Sequence, residues 1–371
     1  MRLLFAESST RGYGTEQHIA ALATAMARRG HDVRCLVVAG SPVAALLQAA
    51  RVPTVAIRPG RTRGIRIAAG LLRLAMQQRP HWMISNDPRF YRMLLAVRGL
   101  TGARVALFRH WHDVPLKQRT RELLSRRTDR FILVSQFHRE DYQRQGMSVE
   151  RASVLYNPID TERFRPSPAA RASARERRGY GDSDLVIGCV GRMIEAKGIF
   201  TLLAAAERFL AAEASARLLW VGDGEDSAAL QARVAKSSYA SRHRFESWEA
   251  DMAALYPALD ILAVPSLYPE PFGRVSLEAQ AVTVPVVCSL AGGLPETFVA
   301  GDTGIAVAPG DADGLASAIS TLLRDPARRQ RMGAAGREWA QERFSLERIA
   351  TDFEQLLAGT PAAYAPRLPI R

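Results

Sequence analysis

The sequence is poor in cysteine and has no long uninterrupted apolar stretch. Cys35, Cys189 and Cys288 are its three cysteines, and each lies in an apolar run typical of a buried strand. No spacing of cysteine and histidine predicts a zinc site, and no disulfide framework is indicated. A membrane-spanning helix needs about 18 consecutive apolar residues, which no run approaches, and the N-terminal apolar stretch is too short for a signal peptide. We therefore expect a cytoplasmic protein.

Acidic residues are scarce in the first half of the chain. Residues 1–180 contain 32 Lys and Arg against 13 Asp and Glu, a net charge of +19, whereas residues 181–371 contain 18 against 24, a net charge of −6. A basic half of this size indicates a polyanionic partner, which could be a nucleic acid, an anionic membrane surface or an acidic acceptor. The alternative is that the arginines only make the surface soluble.

The pattern of apolar residues predicts an α/β protein of two domains. The chain has 371 residues, of which 47% are hydrophobic, so two buried cores can form. Short apolar runs alternate with longer amphipathic segments, which predicts parallel sheets built from βαβ units. Strands are predicted at residues 2–7, 32–39, 54–57, 82–85, 104–108, 131–134, 153–156, 186–190, 218–221, 261–264, 284–288 and 304–307.

The alternation breaks in the segment 157–182, where three prolines, charges and small residues predict a linker. We expect one doubly wound domain over residues 1–168 and a second over residues 169–344. Residues 345–371 then contain a C-terminal helix that we expect to return to the N-terminal domain. In such sheets ligands bind at the carboxyl ends of the strands, so binding motifs are expected directly after strands.

The first candidate motif follows a strand of the second domain. The strand ends at Gly191, Arg192 follows at once, and Lys197 with Gly198 opens the next helix. Two cations beside a helix N-terminus suit a diphosphate, since arginine binds it through two parallel hydrogen bonds and lysine as a point charge. The spacing alone also fits surface charges that cap a loop.

The second candidate motif is YPEPFGRVSLEAQAV, residues 268–282, which contains two glutamates. Glu270 lies in a proline-flanked loop after a strand, Phe272 and Gly273 precede a helix, and Glu278 lies inside that helix among apolar residues. A carboxylate in such a place is costly unless it is paired or hydrogen-bonded, and sugar hydroxyls are natural donors. The alternative for Glu278 is a helix-favouring residue near the positive end of the helix dipole.

These two motifs, in this order, resemble the family 4 retaining glycosyltransferases, whose mark is a glutamate, seven residues and a second glutamate. The resemblance covers nearly the whole chain and includes RGYGTEQHIAALATAMARRGHDV, VLYNPIDTERF, VGDGED and AGGLPE. It implies the GT-B fold, in which two doubly wound Rossmann-like domains face each other across a cleft. The first domain would bind the acceptor, and the second would bind the nucleotide sugar.

The resemblance also implies roles for individual residues. Arg192 and Lys197 would hold the donor diphosphate and offset the charge on the leaving group. Glu270 would bond the hydroxyls of the donor sugar, and Glu278 those of the ribose. The residues expected to bind the donor are Gly14, Gly191, Arg192, Lys197, Glu270, Phe272, Gly273, Arg274, Val275 and Glu278.

Family members place a histidine near the transferred sugar, at the end of the fifth N-terminal strand. In LFRHWHD we favour His110 over His112, because His110 ends the strand first. The residues expected to be catalytic are Glu270, His110, Arg192 and Lys197. The opening loop reads Gly12, Tyr13, Gly14 where members often have two adjacent glycines, and Ser247 stands where many have glycine beside the base pocket. The sequence therefore predicts either a UDP-sugar or a GDP-sugar as the donor and does not distinguish uracil from guanine.

No metal ion and no other cofactor are expected. Two D-x-D pairs occur, but Asp182 and Asp184 lie in the linker, and Asp311 and Asp313 are interpreted as the start of a helix. The expected reaction transfers a hexose, with retention, from a UDP- or GDP-sugar to a lipid-linked or cell-surface glycan, as in polysaccharide or lipopolysaccharide biosynthesis. The alternatives are a phosphorylase or nucleotide-sugar epimerase on the same fold, and a non-catalytic polyanion-binding protein.

Two basic segments remain, RPGRTRGIRIAAGLLRLAMQQR over residues 58–79 and KQRTRELLSRRTDR over residues 117–130. A basic amphipathic helix suits an anionic leaflet, so peripheral attachment to the inner leaflet of the cytoplasmic membrane is a further expectation. The alternative is that the apolar positions form the domain core and the arginines its solvated face. Nucleic acid is not expected as a partner, because the clusters lack interleaved aromatic residues for stacking.

Overall fold

The chain folds into two α/β units, each built on a parallel sheet. The computed structural model describes residues 1–9, 14–58, 60, 63–87, 90–110, 118–147, 151–248 and 251–359. The first unit comprises residues 1–158 with the C-terminal helix, and the second comprises Ile159–Ser345. Two doubly wound domains are therefore present, as the alternating pattern predicts.

The first unit contains a sheet of seven strands, counted over the described residues. The strands are β1 Arg2–Ala6, β2 Asp32–Val38, β3 Thr54–Ile57, β4 Trp82–Ser85, β5 Arg104–Arg109, β6 Arg130–Leu133 and β7 Ala152–Val154. They are parallel and lie in the order β3-β2-β1-β4-β5-β6-β7. The order reverses between β1 and β4, and ligands of open parallel sheets bind beside such a point.

Helices connect these strands and cover the sheet. They are α1 Gly14–Arg28, α2 Pro42–Ala49, α3 Arg63–Gln78, α4 Tyr91–Thr101, α5 Gln118–Arg127 and α6 Gln136–Arg144. Serine caps begin two of them: the Ser41 hydroxyl accepts from Ala44 N at 3.2 Å, and the Ser135 hydroxyl accepts from His138 N at 3.0 Å. One face of the sheet is covered by α3 and α4, whose inner residues join a single apolar core.

The second unit contains a sheet of six parallel strands among the described residues. The strands are β8 Leu185–Val190, β9 Ala216–Val221, β10 His243–Glu246, β11 Ile261–Val264, β12 Val286–Ser289 and β13 Gly304–Val307, in the order β10-β9-β8-β11-β12-β13. The sequence does not predict β10, because its edge position leaves it with polar residues and a single aromatic. Phe245 of that strand stacks on Trp220 with ring centroids 6.0 Å apart.

The second sheet is covered by α7 Pro168–Glu176, α8 Ile199–Ala212, α9 Ser227–Val234, α10 Arg274–Ala281, α11 Ala312–Arg324 and α12 Pro326–Phe344. The predicted helix start at Asp311 is confirmed, since its side chain accepts from Gly314 N at 2.8 Å. Asp184, of the other D-x-D pair, lies 2.9 Å from the Arg217 guanidinium. Both aspartates therefore have structural partners.

The division between the units lies between Pro158 and Ile159, whereas the sequence places it at 168/169. The Ile159 N–H donates to the Phe344 carbonyl at 2.7 Å. The Arg337 guanidinium donates to the carbonyls of Thr161 at 3.0 Å and Phe164 at 2.6 Å. These bonds attach an irregular segment to the second unit, and they involve backbone groups that no apolar pattern reveals.

The last helix, α13 Leu346–Ala358, belongs to the first unit. Its Phe353 ring lies 6.5 Å from Phe5 and 5.7 Å from Phe108, centroid to centroid. Its Glu354 carboxylate lies 2.7 Å from the Arg29 guanidinium and 2.9 Å from the His31 ring nitrogen. The helix is therefore held by both an aromatic core and an ionic rim. Within the described part of the chain, no helix is long and apolar enough to cross a membrane.

Candidate functional site

Lys197 is positioned by two loops of the second unit that touch each other. A 3-10 turn over Glu195–Lys197 follows β8, and Gly198 then has a positive φ of 72°. A Cβ at Gly198 would lie 1.8 Å from the Pro265 carbonyl oxygen, in the loop after β11, so only glycine fits. The Leu267 N–H of that loop donates to the Ala196 carbonyl at 2.9 Å. The two loops are thereby locked together.

Glu270 is the centre of a buried polar cluster. Its Oε1 accepts from Lys197 Nζ and from Ser266 Oγ, both at 2.5 Å, and its Oε2 accepts from the Tyr268 hydroxyl at 3.0 Å. The Glu270 side chain is 9% exposed and that of Lys197 is 26% exposed. The carboxylate is therefore fully compensated, while the ammonium still reaches solvent and can meet a second anion.

A third loop, after β12, fixes the backbone of Glu270. Gly292 has a φ of 64°, and a Cβ there would lie within 2.6 Å of backbone atoms of Pro269 and Glu270. The Gly293 N–H donates to the Glu270 carbonyl at 2.7 Å. Loops from three neighbouring strands therefore converge on one glutamate.

The N-terminus of α10 lies beside this cluster in the sequence and is set by Gly273. Gly273 has a φ of 136°, and a Cβ there would lie 2.4 Å from the Leu294 side chain. Phe272 is buried, with its ring 5.8 Å from that of Phe344. Arg274 and Val275 then open the helix, where backbone N–H groups and the helix dipole favour an anion.

Glu278 is buried on α10 and has two partners from the protein. The Tyr256 hydroxyl donates to its Oε2 at 2.8 Å, and Arg274 Nε lies 2.8 Å from its Oε1. The pKa of Tyr256 is raised well above its usual value, mainly by burial and further by the charge of Glu278 and the hydrogen bond to it. The hydroxyl therefore keeps its proton and remains a donor. The buried charge is thus stabilised by a tyrosine and an arginine, as a carboxylate in an apolar helix requires.

Arg192 is held less firmly than Lys197. Its side chain is 68% exposed, and its guanidinium lies 3.8 Å from the Glu225 carboxylate, which is itself 76% exposed. An exposed ion pair at this distance restrains a side chain only weakly. The guanidinium can therefore turn toward a ligand.

His110 lies in the first unit, directly after β5, and is buried. Its ring centroid lies 4.9 Å from that of His18, whose Nδ1 is 2.6 Å from Asn157 Oδ1. Burial, ahead of the charges on His18 and its other neighbours, lowers the pKa of His110 well below its usual value. The ring is therefore neutral near pH 7. His112 lies outside the described residues, as do residues 10–13 of the opening loop, and Gly14 is the first residue of α1.

Three partners of the two glutamates are not predicted from the sequence, although Tyr268 is the first residue of the second motif. Ser266 and Tyr268 follow β11 closely, so only their position after a strand hints at a role. Tyr256 lies in a 3-10 turn 22 residues before its partner Glu278. Over the described residues, no group of three or more His, Cys, Asp and Glu is arranged to hold a metal ion.

Two family models match the chain. The model "Glycosyltransferase Family 4" matches residues 13–163, and the model "Glycosyl transferases group 1" matches residues 171–339. A GDP-mannose-dependent alpha-(1-6)-phosphatidylinositol monomannoside mannosyltransferase of Mycobacterium tuberculosis is 33% identical over 287 residues, which are 73% of this chain and 74% of that protein. The lipopolysaccharide core biosynthesis glycosyltransferase LpsE of Rhizobium meliloti is 36% identical over 182 residues, 47% of this chain and 50% of LpsE.

Solved structures share the architecture. Anabaena Alr3699/HepE, in complex with UDP and glucose, superposes with a TM-score of 0.83 at 23% identity, covering 96% of this chain and 99% of that one. The lipopolysaccharide outer core galactosyltransferase WaaB superposes with a TM-score of 0.73 at 17% identity, covering 97% of this chain and 99% of that one. The predicted GT-B fold class is confirmed.

Proposed function

The chain belongs to glycosyltransferase family 4, and we propose that it transfers a hexosyl group, with retention, from UDP- or GDP-sugar to a lipid-linked or cell-surface glycan. The mycobacterial relative is named for GDP-mannose and a phosphatidylinositol mannoside, and LpsE for the lipopolysaccharide core. HepE was solved with UDP and glucose. These names support a nucleotide-sugar donor and a glycolipid acceptor, and they leave the base open.

The pairing of Lys197 with Glu270 is the observation that carries the proposal. As the bond between the anomeric carbon and the diphosphate breaks, positive charge develops on the sugar and negative charge on the leaving group. Lys197, with Arg192 and the N-terminus of α10, is suited to offset the negative charge. Glu270, held in place by three donors, is suited to accept hydrogen bonds from the sugar hydroxyls.

Glu278 is the proposed partner of the ribose. A carboxylate has about four acceptor positions on its two oxygens. Tyr256 donates to one of them, and Arg274 forms an ion pair with the other oxygen. The remaining positions are available to vicinal hydroxyls. We infer that Glu270 lies at the sugar end of the donor and Glu278 at its ribose end, with Lys197 and Arg192 between them at the diphosphate.

The hydrogen bonds of Glu270 argue against a covalent intermediate between this glutamate and the sugar, so retention is proposed without a protein nucleophile. Its three donors stabilise the charge of the carboxylate and hold it in place, which makes it a weak nucleophile. We therefore infer that the acceptor hydroxyl attacks from the face that the diphosphate leaves, and that a diphosphate oxygen takes up the hydroxyl proton. His110, neutral near pH 7, is assigned to the hydroxyls of the transferred sugar.

Thermal shifts with UDP, GDP, ADP and their sugars would test the donor. A ligand at 100 times its Kd stabilises a protein by about 2.7 kcal/mol, which raises Tm by roughly 5–10 °C in a domain of this size. The best donor is then supplied with a lipid extract, and NMR of the product reports the anomeric configuration. Sugar release that depends on inorganic phosphate would indicate a phosphorylase, and an inverted product would contradict retention.

A further inference from the structure

Helix α3 has two apolar stripes, and only one of them belongs to the core. Ile67, Leu71 and Leu74 are buried against the first sheet. On the opposite side, the outer stripe consists of Ile65, Ala69, Leu72 and Met76. With about 100° of rotation per residue, these four positions share a sector of about 60°. Ile65 is 73% exposed, Leu72 37% and Met76 56%, and Ala69 is exposed as well.

The surroundings of the outer stripe carry charge of one sign. Arg66 and Arg73 lie on the helix along one edge of the stripe and are exposed, and exposed Arg79 follows the last turn. The stretch from residue 33 to residue 86 contains no aspartate or glutamate, and Asp87 is 5% exposed. On the neighbouring helix α4, Leu100 is also 69% exposed. An exposed apolar stripe with arginines along one edge is therefore on the surface of the first unit.

We propose that the outer stripe of α3 inserts into the headgroup boundary of an anionic bilayer, with the flanking arginines on the lipid phosphates. An interfacial helix of this kind has an apolar side that enters the acyl boundary and cations beside it that meet anionic lipids. The helix is about 24 Å long, from 16 residues at about 1.5 Å each, and would lie in the plane of the leaflet.

A second copy of the chain fits the stripe less well than a bilayer does. A twofold contact brings the same patch of both copies together, so arginine would face arginine across it. A lipid surface instead supplies negative charge along the full length of the helix. The inference goes beyond the proposed function, because none of the donor-site residues lies on α3.

The test is sedimentation of the full chain with liposomes of phosphatidylcholine alone, or with about a third phosphatidylglycerol, at low and high salt. One variant, Ile65→Ser/Leu72→Ser/Met76→Ser, removes the stripe, and a second, Arg66→Gln/Arg73→Gln, removes its cations. Two matched controls are Leu46→Ser, an exposed leucine of α2, and Arg233→Gln/Arg331→Gln, two exposed arginines of the second unit. Circular dichroism and the nucleotide-induced rise in Tm report the fold and the donor site separately.

We expect the wild type to bind the anionic liposomes at low salt and to be released at high salt. Each cation near the leaflet contributes about fivefold to the partition coefficient, so the double arginine variant should bind about 25-fold more weakly. The stripe variant should also lose binding, while both controls bind like the wild type and every variant keeps its nucleotide response. Absence of binding by the wild type at low salt overturns the proposal. So does wild-type binding by the stripe variant, or a stripe variant that changes only self-association in size exclusion.

Discussion

The substitution Lys197→Ala is expected to lower the activity of the proposed donor site far more than the stability of the protein. The lysine contributes one charged hydrogen bond to Glu270, and such bonds contribute about 1.5–3 kcal/mol. Ser266 and Tyr268 still donate to the carboxylate in the variant, and the lysine is partly exposed. We therefore expect the free energy of unfolding to fall by only about 1–2 kcal/mol, which lowers Tm by roughly 3–6 °C.

The effect of Lys197→Ala on turnover should be larger than its effect on stability. Removal of one group that stabilises a developing negative charge lowers turnover by about 10²-fold or more, which corresponds to about 2.7 kcal/mol. The variant also leaves Glu270 without its cation, so its charge would repel the departing diphosphate. Arg192→Ala should lower turnover to a similar degree with almost no loss of stability, since that side chain is 68% exposed.

The assay follows release of UDP or GDP from the donor that gives the largest thermal shift, with a membrane-lipid extract as acceptor. Lys236→Ala is the matched control, because Lys236 is an exposed lysine of the same unit. Its turnover should equal that of the wild type. If Lys197→Ala and Arg192→Ala both stay within threefold of the wild type, the diphosphate site lies elsewhere.

Three smaller perturbations test the other parts of the proposed site. Tyr256→Phe removes one partner of Glu278, so the nucleotide-induced rise in Tm should shrink and the free protein should lose about 1 kcal/mol in denaturant unfolding; an unchanged nucleotide response would remove Glu278 from the site. Activity should persist in EDTA, because Arg192 and Lys197 are assigned to the diphosphate; complete loss that Mg²⁺ or Mn²⁺ restores would contradict that role. Burial lowers the pKa of His110, so the folded protein binds this proton less readily than the unfolded chain, whose histidine pKa is about 6.5. Above that pH the group has no effect, and below it stability falls by up to about 1.4 kcal/mol per pH unit. His110→Gln should therefore flatten the decline in unfolding free energy between about pH 6.5 and pH 5, and equal slopes would refute a buried neutral ring.

The strands could be predicted because most of them are buried apolar runs followed by glycine or a polar loop. β10 could not, since His243, Arg244 and Glu246 give it no apolar alternation. Lys197 and Glu270 could each be identified from its own motif, but their pairing depends on the close approach of Gly198 to Pro265. Contacts between loops that follow different strands leave no periodic trace in a sequence.

For the same reason, the sequence alone does not predict which apolar residues of α3 are exposed. Its pattern of apolar residues fits one wide core-facing side or two opposite narrow ones, and the choice depends on what packs against the helix. The sheet covers Ile67 and Leu71 and leaves Ile65 and Met76 exposed. The predicted roles of the donor-site residues and of His110 stay predictions until the variants above are measured.

The position of α13 has a consequence for synthesis on the ribosome. The first unit needs residues Leu346–Ala358, yet the second unit, Ile159–Ser345, is translated in between. Because translation proceeds at about 5–20 residues per second, the last helix of the N-terminal unit is synthesised on the order of 10–40 s after the rest of that unit. During that time Phe5 and Phe108 lack Phe353, and Arg29 lacks Glu354. A stop codon after Ser345 would thus leave the complete second unit attached to a first unit that lacks α13. The apolar core of that first unit would be exposed to chaperones and proteases.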